Sequence, residues 1–154
     1  MTVNKTNFEF VEDKNFFEKL LCDSTSAIDS FNHFFDFRPV AVKRQEFNRL
    51  RKGLFFDLAQ NYGKDCFLKY PDLCDISSGL AVDHLIPLST NQLNKLLRNL
   101  KPEPGKKVKT QSFGSNHIDN LVIACNNCNN HKKHRLLDRE KLLAILTLKT
   151  PEWK

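Results

Sequence analysis

Two segments of the chain hold most of the side chains that can do chemistry. Residues 82–87 read Val-Asp-His-Leu-Ile-Pro, and residues 120–132 read Asn-Leu-Val-Ile-Ala-Cys-Asn-Asn-Cys-Asn-Asn-His-Lys. In each segment, apolar residues typical of a β-strand lead into hydrogen-bonding or metal-ligating groups. Asp83 and His84 offer a carboxylate and an imidazole, and the two cysteines offer thiols. The pattern predicts a β-hairpin that presents a chemical site.

The order of these groups resembles the HNH endonucleases of the ββα-metal superfamily. The family pattern is Asp-His-x-x-Pro, a variable gap, Asn-Leu, and then Cys-x-x-Cys followed by His or Asn and, three residues later, often by Lys. The matching residues here are Asp83, His84, Pro87, Asn120, Leu121, Cys125, Cys128, Asn129 and Lys132. An isolated Asp-His pair or Cys-x-x-Cys says little, whereas both in this order with Asn-Leu between them are specific. The match covers residues 66–135, under half of the chain.

The resemblance implies roles for five residues. His84 is the expected general base, because a neutral imidazole has a pKa near the operating pH. Asp83 and Asn129 are expected to offer oxygen atoms to one divalent ion, and oxygen ligands favour Mg²⁺ or Mn²⁺. Asn120 would fix the loop that orients His84, and Lys132 could contact phosphate. The implied activity is single-metal hydrolysis of phosphodiester bonds, with DNA as the expected nucleic acid.

The cysteines predict a second, structural metal. The chain has five Cys, and only Cys125 and Cys128 stand at a tight spacing, so reduced thiolates on a metal are expected rather than a disulfide framework. Relatives often supply another Cys-x-x-Cys before the Asp-His strand. This chain departs from that pattern, because Pro71 stands where the partner of Cys74 is expected. Cys66 is the candidate that completes a four-thiolate Zn²⁺ site.

Other readings of the same residues stay open. His84 could be a buried histidine at a strand end that bonds a carbonyl, and Asn129 could be a helix cap in an Asn-rich turn. His131 or His134 could share or replace the role of Asn129 at the metal. The alternative function is a zinc-containing module that binds nucleic acid without cutting it. The adjacent Asp83 and His84 argue against that alternative, since a binding module needs no base beside a carboxylate.

The charge of the chain favours a polyanionic partner. The formal net charge is +6, but residues 1–37 are acidic, with three Lys against seven carboxylates. The excess of basic side chains lies after residue 37, and such a segment attracts nucleic acid. The basic side chains predicted to contact nucleic acid are Lys106, Lys107, Lys109, Lys132, Lys133 and Arg135.

The hydrophobic pattern predicts an α+β fold. Apolar residues recur at helical spacing over residues 8–21, 42–62 and 91–100, and a last helix over residues 129–145 is interrupted or capped near 137–139. A short strand and turn are expected over residues 79–88, where Pro87 limits the strand, and a second short strand is expected at 121–124. The pattern predicts a helical N-terminal region over 1–65, and the resemblance implies an HNH module over 66–154 with a helical insertion at about 90–116. Gly63 is the expected C-cap of the second helix.

The sequence also indicates a location and possible protein partners. No stretch approaches the length of a membrane span, and acidic residues stand where a secretory signal would be basic, so we expect no membrane association and a cytoplasmic protein. The acidic, Phe-rich N-terminal region could bind a partner protein. A homodimer is also plausible, since cutting both strands of DNA usually needs two sites.

Overall fold

The computed structural model describes residues 8–21, 31–89 and 111–149. The helix predicted over residues 91–100, most of the predicted insertion, and the basic residues Lys106, Lys107 and Lys109 lie outside these ranges. Within them, no helix combines the length and the apolar character that crossing a membrane requires.

The described residues form four α-helices and one antiparallel pair of strands, so the predicted α+β class is confirmed. The helices are α1 (Val11–Leu21), α2 (Val40–Tyr62), α3 (Asn126–Lys132) and α4 (Arg139–Lys149). The strands are β1 (Leu80–His84) and β2 (Leu121–Cys125). Three short 3₁₀ turns lie at Asn32–Phe34, Ile76–Ser78 and Ile118–Asn120.

The strands pair with Leu80 opposite Cys125 and His84 opposite Leu121. Side chains alternate between the two faces of a strand, so this register sends Val82 and His84 to one face and Asp83 to the other. β1 ends at His84, within the range predicted to hold a short strand and turn. The chain turns there because the main chain of Ile86 bonds to the side chain of Asn120 instead of to a strand partner.

A separate hydrophobic cluster covers each face of the sheet. On the first face, Leu58, Val82, Leu121 and Ile123 are buried together, and Phe47 and Leu54 of α2 pack against them. On the second face, the larger cluster joins residues of β2 and α4 to an aromatic group. The buried members of that aromatic group are Phe17, Phe31, Phe34, Phe37 and Phe113. Residues of the predicted N-terminal region (1–65) and of the predicted module (66–154) thus share the larger cluster.

α2 agrees with its predicted extent. Pro39 precedes the helix, where its fixed φ is compatible with a helix start, and Gly63 ends the helix with a φ of 84°. The Gly63 amide donates to the carbonyl of Ala59 at 2.9 Å. The apolar residues at helical spacing on α2 are only partly buried. Phe47, Leu54 and Leu58 pack on the sheet, whereas Leu50 is 43% exposed.

The last predicted helix is two helices. α3 ends where Lys133 adopts a positive φ of 52°, and α4 begins at Arg139. The Asp138 carboxylate accepts a hydrogen bond from the amide of Lys141 at 2.9 Å, which caps the first turn of α4. The predicted interruption is therefore present, but it begins several residues earlier than the sequence pattern indicated.

Candidate functional site

An open cleft of about 520 Å³ lies where β1, α2 and α3 meet. Asp83 and His84 end the strand, α2 supplies one wall, and α3 supplies the other. The polar residues that line the cleft are Arg44, Asn48, Asp83, His84, Asn129, Asn130, Lys133 and His134. The structure thus brings together three of the predicted site residues, Asp83, His84 and Asn129.

The His84 ring is held in one orientation and one tautomer. Its Nε2 atom lies 2.8 Å from Oδ1 of Asn116. Nδ2 of Asn116 donates to the carbonyl of Lys43 at 2.9 Å and to Oε1 of Glu46 at 3.0 Å, which fixes the direction of the amide. Oδ1 must then accept from Nε2–H of His84, so the lone pair of the imidazole is on Nδ1. The Phe47 ring packs edge-on against the imidazole, with ring centroids 4.6 Å apart.

The electrostatics keep this imidazole neutral. Burial lowers the pKa of His84 to about 4, although the hydrogen bond with Asn116 opposes the shift. At neutral pH, His84 is therefore an uncharged ring with a free lone pair, and its pKa lies below the near-neutral value expected from the sequence. Its buried strand-end position fits one of the alternative readings, but its hydrogen-bond partner is the side-chain amide of Asn116 and not a main-chain carbonyl.

Asn120 holds the turn that follows His84. It is fully buried, and its Oδ1 accepts from the amide of Ile86 at 2.8 Å. Its Nδ2 donates to the carbonyls of Ile86 at 3.0 Å and Ser115 at 2.8 Å. Its own carbonyl accepts from the amide of Leu85 at 2.8 Å. The side chain therefore fixes the backbone next to His84, which is the geometry that the resemblance implies for this position.

Lys132 lies beneath the cleft and not on its surface. The side chain is fully buried, with Nζ 3.0 Å from Oδ2 of Asp83, and it donates to the carbonyl of His84 at 2.8 Å. The prediction that Lys132 contacts phosphate is wrong for this arrangement, because its ammonium group is enclosed and already neutralised. Instead it ties α3 to the two residues at the end of β1.

Asp83 is a buried carboxylate that lines the cleft. Burial raises the pKa of Asp83, and the nearby ammonium of Lys132 partly opposes that shift. Its Oδ2 atom lies 3.0 Å from Nζ of Lys132, so this oxygen is already paired with a positive charge. The half-buried side chain of Asn129 lines the same cleft. Both side chains carry oxygen atoms, the type of ligand that Mg²⁺ takes in proteins.

The positions of Asn129, His134 and His131 show which of these candidates lie at the cleft. Asn129 lies inside α3, whose N-cap is Cys125, so Asn129 is not the helix cap. His134 lines the cleft with Asp83, and burial lowers its pKa. His131 does not line the cleft, because its ring packs against Tyr70 with centroids 4.7 Å apart.

Four cysteines converge at the base of α3. The sulfurs of Cys66, Cys74, Cys125 and Cys128 all lie within 4.8 Å of one another. Tetrahedral zinc with Zn–S bonds of about 2.3 Å needs sulfurs about 3.8 Å apart, so a small adjustment would suffice. The wide spacing between Cys66 and Cys74 is closed by a loop in which Lys69 and Asp72 adopt positive φ.

Main-chain amides point at the sulfur atoms. The amide of Cys128 donates to Sγ of Cys125 at 3.3 Å, and that of Asp75 donates to the same sulfur at 3.4 Å. The amide of Tyr70 donates to Sγ of Cys128 at 3.3 Å. Burial opposes ionisation of Cys125, but these amides outweigh burial and lower its pKa. The residues present therefore fit a metal that binds thiolates.

Comparisons with known proteins do not identify the chain. No protein-family model, curated protein or solved structure matches it.

The sequence predicted some of the residues around the cleft and missed others. Asn116, which sets the tautomer of His84, belongs to a polar run just before β2, and nothing in its spacing indicated a role. Arg44 and Lys133 are exposed on opposite walls of the cleft. Arg135 lines an adjoining hollow, together with Lys133 and His134. The predicted contacts of Lys133 and Arg135 with nucleic acid thus involve side chains that are accessible.

Proposed function

We propose that this chain is an HNH endonuclease that hydrolyses phosphodiester bonds in DNA with the help of a divalent metal ion. The observation that carries the proposal is the neutral, oriented imidazole of His84 beside the buried carboxylate of Asp83 in an open cleft. Under this proposal, β1, β2 and α3 are the hairpin and helix of a ββα-metal module.

His84 is the general base of the proposed reaction. Its Nε2–H is held by Asn116, so Nδ1 is the atom that removes a proton from the attacking water. The low pKa of the imidazole keeps Nδ1 unprotonated over the whole neutral range. Asn120 and Lys132 are positioning residues, because each fixes main chain directly at or after His84.

Asp83 and Asn129 are the residues that would hold the catalytic ion. Their carboxylate and amide oxygens favour Mg²⁺ or Mn²⁺ over a metal that prefers sulfur. When bound, such an ion stabilises the negative charge that develops on the phosphate and on the leaving 3′ oxygen. Lys132 supports this role, since its positive charge opposes the burial that disfavours the ionised form of Asp83.

Exposed basic side chains around the cleft would bind the substrate backbone. Arg44 stands on α2 and Lys133 follows α3, so the two flank Asp83 and His84. Arg135 extends the basic surface into the adjoining hollow. Contacts of this kind position a nucleic-acid backbone without reading its sequence.

The four cysteines would hold a structural Zn²⁺. The ion would tie the loop of Cys66 and Cys74 to the junction of β2 and α3, where Cys125 and Cys128 lie. Asn129 directly follows Cys128 in α3. A zinc ion there would therefore support the catalytic site without taking part in the chemistry.

Cleavage assays test the proposal directly. Purified protein, its His84→Ala variant and a His33→Ala control, whose exposed histidine lies outside the cleft and the adjoining hollow, are incubated with plasmid DNA, single-stranded DNA and RNA in Mg²⁺, Mn²⁺ or EDTA. We expect metal-dependent cleavage by the wild type and the control, and a loss of about 10²–10⁴-fold in the His84 variant. Binding without cleavage in every metal would instead favour the non-catalytic, zinc-containing binding module. Circular dichroism and zinc content confirm that each variant is folded.

A further inference from the structure

His33, His117 and Asp119 form a cluster outside the cleft. Nδ1 of His33 lies 2.8 Å from Oδ2 of Asp119, and Nδ1 of His117 lies 3.6 Å from the same oxygen. The two imidazole rings stack with centroids 4.2 Å apart and an angle of 14° between their planes. One donor atom from each of the three side chains lies within 4.8 Å of the other two. We infer that these three residues form a binding site for a divalent transition-metal ion such as Zn²⁺ or Ni²⁺.

Several contacts fix the backbone around the cluster, and one of them uses a proposed ligand, because Nδ1 of His117 accepts a hydrogen bond from the amide of Asp119 at 3.1 Å. The Ser115 hydroxyl donates to the carbonyl of His33 at 2.5 Å, and the amide of Ser115 donates to the carbonyl of Phe34 at 3.1 Å. On the other side, Nζ of Lys149 donates to the carbonyls of Ile118 at 2.7 Å and Asp119 at 3.0 Å. Main-chain packing thus brings the three residues together. Binding of an ion would replace the hydrogen bond at Nδ1 of His117 and would turn the stacked rings, so that both nitrogens can point at the metal.

The ligand atoms of this cluster differ from those of the four cysteines and from those of Asp83 and Asn129. Two imidazole nitrogens and one carboxylate oxygen are borderline ligands, which suit Zn²⁺ or Ni²⁺ better than Mg²⁺. The thiolate cluster favours a softer metal, whereas Asp83 and Asn129 offer only oxygen ligands. The side chains of His33 and His117 are 46% and 41% exposed. Water can therefore reach the metal and complete its coordination.

The site would join two parts of the chain that are far apart in sequence. His33 belongs to the 3₁₀ turn Asn32–Phe34, and His117 and Asp119 belong to the turn that leads into β2. The second turn follows Asn116 and ends at Asn120, and these two residues hold His84 and the loop after it. A bound ion would link this turn to the turn at Asn32–Phe34. The inference goes beyond the proposed nuclease function and does not depend on it.

Metal titration of the full chain tests the inference. The protein is first loaded with one equivalent of Zn²⁺ and then titrated with ZnCl₂ or NiCl₂ in a calorimeter, with no nucleic acid present. We expect a further equivalent to bind to the wild type and to the Asp83→Asn and His131→Ala controls. We expect His33→Ala to weaken that binding at least about tenfold and His33→Ala/His117→Ala to abolish it.

A second measurement separates loss of the site from loss of the fold. Bound metal raises the melting temperature, so NiCl₂ should raise that of the zinc-loaded wild type, raise that of His33→Ala less, and leave that of His33→Ala/His117→Ala unchanged. His33→Ala should fold, because the contacts of His33 with Ser115 are made by its main chain. The inference is wrong if the wild type binds no further equivalent, if the double variant retains it, or if Asp83→Asn loses it.

Discussion

Replacing Asn116 tests the link between the hydrogen-bond network and the proposed base. Asn116 is 9% exposed and makes three side-chain hydrogen bonds, to His84, Lys43 and Glu46. Each such bond contributes about 0.5–1.5 kcal/mol. Asn116→Leu should therefore lower the free energy of unfolding by about 2–4 kcal/mol, which corresponds to a fall of roughly 5–15 °C in melting temperature. It should also release His84 from its single tautomer.

Nitrogen NMR of the imidazole measures that release. In the wild type, we expect the chemical shifts of His84 to show a protonated Nε2 and an unprotonated Nδ1 at pH 7. Asn116→Asp retains an oxygen acceptor, so it should keep this tautomer even though it loses the donors to Lys43 and Glu46. Asn116→Leu should give a mixture of tautomers and a cleavage rate lower by about 10²-fold, the effect of misplacing a catalytic group by about 1 Å.

Asn61→Ala is the matched control, because Asn61 is exposed near the end of α2 and lies outside the cleft. It should change neither stability nor the NMR signature. The reasoning is refuted if wild-type His84 carries its proton on Nδ1. It is also refuted if Asn116→Leu loses stability as expected while the tautomer remains fixed, since the network would then support the fold and leave the base unaffected.

Three further predictions concern buried charge and metal. Lys132→Leu leaves the buried carboxylate of Asp83 unpaired, so the free energy of unfolding in urea should fall by about 3–5 kcal/mol, and by less at acid pH. Removal of zinc by a chelator should lower the melting temperature by roughly 10 °C, and Cys74→Ser should abolish both zinc binding and this response. Burial lowers the pKa of Lys43 to about 8, below that in the unfolded chain. Unfolded chains then hold the extra proton between about pH 8 and 10.5, so stability should rise with pH over that window, by up to about 3 kcal/mol.

Each of these predictions has a matched comparison. Lys133→Leu changes an exposed lysine next to Lys132 and should cost less than about 0.5 kcal/mol; an equal cost for both would mean that the buried pair contributes little. The zinc prediction fails if zinc-free protein melts at the same temperature as the loaded protein. In Lys43→Met, the rise of stability with pH should be smaller than in the wild type, and equal slopes would show that other groups cause the rise.

The elements of the fold followed from local patterns in the sequence. α2 is a long amphipathic segment bounded by Pro39 and Gly63, and both residues act on the backbone in ways that do not depend on the rest of the molecule. β2 is a short apolar run buried at every position. The early end of α3 could not be predicted, because Lys133 adopts a left-handed conformation that its residue type does not favour.

The candidate site was predictable only where residue types are adjacent in sequence. Asp83, His84 and the Cys-x-x-Cys pair form local patterns, and the structure places them in or beside the cleft. Asn116 reaches His84 across 32 residues of chain, and such a contact depends on tertiary packing. The burial of Lys132 likewise depends on how α3 docks on β1. Roles that rest on long-range contacts leave no periodic signal in one sequence.

The side chains of β1 alternate between two faces of the sheet, and this has a consequence for how the protein can evolve. His84 faces the cluster built on α2, where Phe47 touches its ring, while Asp83 faces the opposite side, where Lys132 of α3 meets it. The base and the proposed metal ligand are therefore supported by different sets of core residues. Substitutions inside α2 act first on the base, and substitutions around α3 act first on the proposed metal ligand. Lys132 couples the two, because its ammonium meets both the Asp83 carboxylate and the carbonyl of His84. A single five-residue strand thus gives selection two routes to tune one site, joined at one buried lysine.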